Sequence, residues 1–147
     1  MRYITPWILL VSFATLLASC GGGGGGDPEP TPPSAQDAVR TKLTSATWTV
    51  QSVTVDGVDQ SGLYKNLSLK FTASTYTATN GGVIWPASGT WSFTDQTATA
   101  IKKEDGTEVI IEVTDTSLKL TLTWLKTTLG PGRLASMKGV HVFTCKK

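Results

Sequence analysis

Apolar and polar side chains alternate with a period of two through most of residues 47–145, and this pattern narrows the possible folds more than any other feature of the chain. Residues 117–124 set Leu118, Leu120, Leu122 and Trp124 against Lys119, Thr121 and Thr123. Residues 66–72 set Leu67, Leu69 and Phe71 against Ser68 and Lys70, and residues 107–113 set Val109, Ile111 and Val113 against Glu108, Ile110 and Glu112. Successive side chains of a strand point to opposite faces, so each segment is expected to be a strand with one apolar face. The same reasoning predicts strands over 47–55, 75–79, 89–94, 97–102 and 138–145. Residues 47–55 break phase: Trp48 and Val50 are even, Val53 and Val55 odd. One extra residue near Gln51-Ser52, a β-bulge, restores the alternation. Residues 138–145 are ambiguous, since either Val140 and Val142 or His141, Phe143 and Cys145 can face inward.

Short strands joined by short connections point to an all-β fold, an eight-stranded up-and-down antiparallel barrel, with a β-sandwich as the alternative. Asp105-Gly106 suits a tight hairpin turn. A transmembrane barrel needs strands of about 9–11 residues with an apolar outer face. Here Lys70, Lys119, Glu108 and Glu112 occupy that face. Ahead of the strands, Ser34-Ala-Gln-Asp37 reads as a helix N-cap, and Ala35–Leu43 as a short helix with Ala38, Val39 and Leu43 inward. In a meander, the two- or three-residue turns after 66–72, 89–94 and 107–113 share one end with the helix. The long connections 56–65, 80–88 and 125–137 share the other.

Charge and chemistry exclude several classes. The chain has 13 basic and 11 acidic side chains in scattered positions, with no basic stripe for nucleic acid. His141 is the only histidine. Cys145 lies four residues on in the same strand, about 13 Å away at about 3.3 Å per residue. That is too far for a thiolate–imidazole pair, and one His with one Cys does not make a zinc site. Glu108 and Glu112 have the same separation and read as solvated. No catalytic residue, metal ligand or cofactor site is expected.

The N-terminus carries an address. Arg2 precedes an apolar run, Trp7–Leu17, which is too short to span a bilayer and ends in Leu17-Ala18-Ser19-Cys20. This resembles a bacterial lipoprotein signal. The resemblance implies a signal peptide over 1–19, cleavage before Cys20, and acylation of the new amine and of the thiol, palmitate being a typical chain. It further implies a membrane-anchored protein of the cell envelope, at the outer membrane. Removal of nineteen residues leaves 128, enough for one domain. Residues 20–33, six glycines and then Asp-Pro-Glu-Pro-Thr-Pro-Pro, read as a tether with a reach of roughly 40 Å, and 34–147 as the folded domain. With Cys20 lipidated, Cys145 has no partner and reads as a small buried hydrophobe.

The leading helix, Ala46-Thr47-Trp48 at the opening of the first strand, and the meander together resemble small lipocalin-like domains. That resemblance implies that Trp48 packs across the closed end of the barrel, with Lys146 or Lys147 near it. It also implies a barrel that binds or carries a small hydrophobic ligand. The long-loop end offers candidates for a ligand-binding rim: Tyr64, Trp85, Trp124, Leu129, Leu134 and Met137. The alternative is that these groups fold over and plug the mouth. The domain is then a non-catalytic surface interaction module with a solid core, binding protein or glycan.

Overall fold

The computed structural model describes residues 31–130 and 133–147, and the side chains of all of these except 128–136. Residues 1–19, Cys20 and the tether up to residue 30 lie outside the described residues. Helix α1 (Ala35–Thr44) comes first. The Ser34 hydroxyl accepts from the Asp37 N–H at 3.1 Å, and Asp37 places a carboxylate in the first turn, as a helix N-terminus favours. Leu43 is fully buried and Val39 packs on the core. Ala38 is exposed, contrary to its expected place on the inner face. The half-buried Arg40 instead lays its guanidinium 5.3 Å from the centre of the Phe93 ring, and a long aliphatic stem covers more apolar surface than a methyl.

Eight strands close an antiparallel barrel: β1 (Thr47–Val55), β3 (Ser68–Phe71), β4 (Thr75–Thr79), β5 (Ser88–Phe93), β6 (Ala100–Lys103), β7 (Glu108–Val113), β8 (Ser117–Trp124) and β11 (Gly139–Lys146). Each pairs with the next, and β11 returns to pair with β1. A short β2 (Val58–Asp59) and a 3-10 turn (Ser61–Tyr64) lie between β1 and β3. A separate hairpin, β9 (Thr128–Gly130) with β10 (Arg133–Ser136), lies between β8 and β11. Among the described residues no helix is long and apolar enough to cross a membrane.

The bulge falls where the phase break requires it. Val50 pairs with Cys145 and Ser52 with Thr144, so Gln51 is the extra residue. Closure also decides the face of β11. Phe143 lies between Val53 of β1 and Leu120 of β8, and His141 between Val55 and Leu122, all on inward faces. His141, Phe143 and Cys145 therefore point in and are fully buried, while Val140 is exposed. One connection is longer than its sequence implies. β5 ends at Phe93 and β6 begins at Ala100, where a two-residue turn was expected. The Asp95 carboxylate accepts from the N–H groups of Thr97 and Ala98 and holds a wider loop, in which Ala98 takes a left-handed φ of 57°.

Candidate functional site

The lumen is filled by aromatic side chains. Trp48, Phe71, Tyr76, Trp85 and Phe143 are each at most 1 % exposed. Trp85 comes from the β4–β5 connection. That connection turns inward through Asn80 and Gly82, both at left-handed φ, and closes a tight turn in which the Trp85 N–H donates to the Gly81 carbonyl. The indole stands edge-on to Phe71, Tyr76 and Phe143, with centroids 6.5, 5.4 and 6.1 Å away and interplanar angles of 86°, 90° and 82°. Edge-to-face contact is the arrangement that aromatic quadrupoles favour. Gly89 lies opposite Tyr76 across the β4–β5 ladder, where a β-carbon would sit 2.7 Å from the tyrosine oxygen.

Lys103 locks this arrangement. It is 3 % exposed, and its Nζ donates to the Ile84 carbonyl at 2.6 Å and to the Asp105 carboxylate at 3.1 Å. It also lies 5.1 Å from the centre of the Trp85 ring. A buried amine is tolerable when it is paired and hydrogen-bonded in this way. Burial pushes the Asp105 carboxyl up, but hydrogen bonds from Thr107 and Lys103 and the Lys103 charge outweigh it, leaving the group below its ordinary value. The expected strand 97–102 stops one residue short of Lys103. Extending the alternation from Ile101 would have placed Lys103 on the inward face.

The other candidate residues separate. Tyr64 is 5 % exposed and lies inside, edge-on to Phe143 at 5.2 Å and to His141 at 6.0 Å. Trp124 is half-buried at the end of β8, and Met137 is half-buried ahead of β11. The side chains of Leu129 and Leu134 lie outside the described residues. Structure therefore brings Tyr64 and Trp85 together around Phe143, while Trp124 packs against the core from the end of β8. Near α1, Trp48 is fully buried. Its indole N–H donates to the Leu43 carbonyl at 2.9 Å, and Lys147 Nζ, not Lys146, lies 5.6 Å from its ring centre.

Burial pushes the Cys145 thiol up to about 12 and the Tyr64 phenol up to about 12, so neither ionises near neutral pH. Burial lowers the His141 pKa below its ordinary value, against an opposing hydrogen bond with the Gly139 carbonyl and the charge of Asp56. His141 Nδ1 lies 3.2 Å from that carbonyl, and Nε2 has no hydrogen-bond partner among the described residues. An unfolded chain then takes up the His141 proton more readily than the folded one. Stability is expected to be full above the ordinary histidine value near 6.5, to fall as pH drops through it, and to level off below the folded pKa. Urea titrations from pH 8 to pH 5 check this, and His141→Phe should flatten the dependence in that window.

Two clefts open on the outside of the barrel wall. One, of about 530 Å³, lies between the β6–β7 turn and the end of β8, lined by residues 105–108, Ile110 and 121–126. The other, of about 450 Å³, lies between α1 and the β3–β4 turn, lined by Asp37, Arg40 and Lys70 among others. Among the described residues no group of three or more His, Cys, Asp or Glu side chains gathers to hold a metal ion. No protein-family model, curated protein or solved structure matches this chain.

Proposed function

We propose that this chain is a cell-envelope lipoprotein, anchored through a lipid on Cys20, whose barrel is a non-catalytic interaction module working through its outer wall. The observation that carries this reading is the position of Trp85. Its indole, caged by Phe71, Tyr76 and Phe143, occupies the space that a small hydrophobic ligand would need. Ligand sites are clefts or cavities of about 300–1,000 Å³, and the clefts of about 530 and 450 Å³ among the described residues lie outside the wall. The lipoprotein half rests on Leu17-Ala18-Ser19-Cys20 and the apolar run before it.

The carrier reading has one observation in its favour. Trp85 Nε1 is buried without a hydrogen-bond partner among the described residues, which costs about 1–3 kcal/mol and lowers the work of withdrawing the indole from the lumen. Native mass spectrometry of the chain purified from its own host separates the two. The interaction-module reading expects the mass of the acylated chain alone. A stoichiometric, non-covalent apolar molecule would overturn it in favour of a carrier. Metabolic labelling with palmitate should mark the wild type and not Cys20→Ser. Labelling that survives the substitution removes the anchor.

A further inference from the structure

The outer cleft beside β8 differs in chemistry from the lumen. β7 and β8 pair from Val113↔Leu118 to Val109↔Leu122, while β8 runs on beside β11 to Trp124↔Gly139. The β6–β7 turn is held back toward β6: the Lys103 N–H donates to the Thr107 carbonyl, and the Asp105 carboxylate takes the Lys103 Nζ and the Thr107 N–H. The two walls therefore part, and a cleft of about 530 Å³ opens between them.

Its lining is mixed. Ile110 and Leu125 are 51 % and 72 % exposed and give the cleft its apolar surface, while Trp124 borders it from the end of β8 with its side chain packed against the core. The hydroxyls of Thr121 and Thr123, on outward or half-outward positions of β8, make no hydrogen bond among the described residues. Glu108 on one lip and Lys126 on the other are exposed and form no ion pair among the described residues.

We propose that this cleft is a saccharide-binding site. The inference rests on the reading that the outer wall is the working surface, and it names the ligand class. A pyranose presents an apolar C–H face and a rim of hydroxyls that both donate and accept. The exposed Ile110 and Leu125 match the first. The threonine hydroxyls (donor and acceptor), the Glu108 carboxylate (acceptor) and the Lys126 ammonium (donor) match the second. Other ligands fit less well. An apolar molecule would have to desolvate both charged lips and the threonines in an open cleft. A phosphate would meet the carboxylates of Asp105 and Glu108 against the single cation Lys126.

The test is titration of the full chain with neutral trisaccharides of glucose, mannose and N-acetylglucosamine, read by tryptophan fluorescence and by amide chemical shifts. At least one is expected to bind, shifting the amides of 121–126. Glu108→Gln, an exposed substitution that leaves the core untouched, should weaken it about tenfold, as should Leu125→Asp. No binding by any of the sugars up to about 10 mM overturns the saccharide inference. So does binding that both variants leave unchanged, or shifts confined to residues away from the cleft. The interaction-module reading is judged separately by the native mass measurement, because a lumenal ligand would appear there whatever the sugars do.

Discussion

Trp85→Ala is expected to lower the unfolding free energy by about 3–5 kcal/mol, the range for removing a large aromatic from a packed interior. The indole is fully buried and touches rings from β3, β4 and β11, so its loss leaves a cavity bounded on several sides by strands that the closed barrel prevents from collapsing. Domains of this kind are stable by only about 5–15 kcal/mol, so the variant should unfold at markedly lower urea. Trp85→Phe provides the contrast. It keeps a ring in the cage and removes the unpartnered indole N–H, so it should cost far less. If Trp85→Ala matched the wild type, the indole would not be holding the lumen, and the plugged-barrel reading would fall with it.

Gly139→Ala is the second large effect. Gly139 starts β11 at φ +144°, where a side chain is strained, and a β-carbon there would collide with the Asp56 carboxylate and the Val55 side chain. Asp56 is not free to move away. Its carboxylate accepts from the Val140 N–H at 2.8 Å and its own N–H donates to the Val140 carbonyl at 2.9 Å, fastening β1 to β11 where the barrel closes. Backbone strain alone costs about 1–3 kcal/mol, and the collision adds to it. Gly106→Ala separates the two contributions: Gly106 has φ +84° and open space around it, so strain acts there alone. Thermal unfolding of both variants is expected to show the larger loss at Gly139. Equal losses would mean that the contact with Asp56 relaxes without cost.

Much of this architecture is written in local pattern. Period-two alternation locates every barrel strand to within a few residues, because a strand with one wet face must alternate. Ser34 and Asp37 mark the helix start through a capping bond between near neighbours in the chain. Even the bulge at Gln51 is legible, since a phase break inside one strand has few other physical solutions. The candidate sites were less legible. Trp85 reads from sequence as a loop aromatic that either frames the mouth of the barrel or plugs it, and Lys103 falls one residue beyond the expected strand. Their burial depends on each other, through a carbonyl and a ring that no local spacing connects.

The amino-acid sequence by itself determined the strands, their apolar faces, the helix that precedes them and the expected address at Cys20, since each of these follows from neighbours a few residues apart. Only the tertiary structure decided which face of β11 turns inward, because both faces carry apolar residues and the choice comes from pairing with β1 and β8 at once. Only it decided that the β4–β5 connection enters the lumen rather than framing its mouth. That outcome depends on the volume left when eight strands close, a quantity set by the whole barrel and by no segment of it.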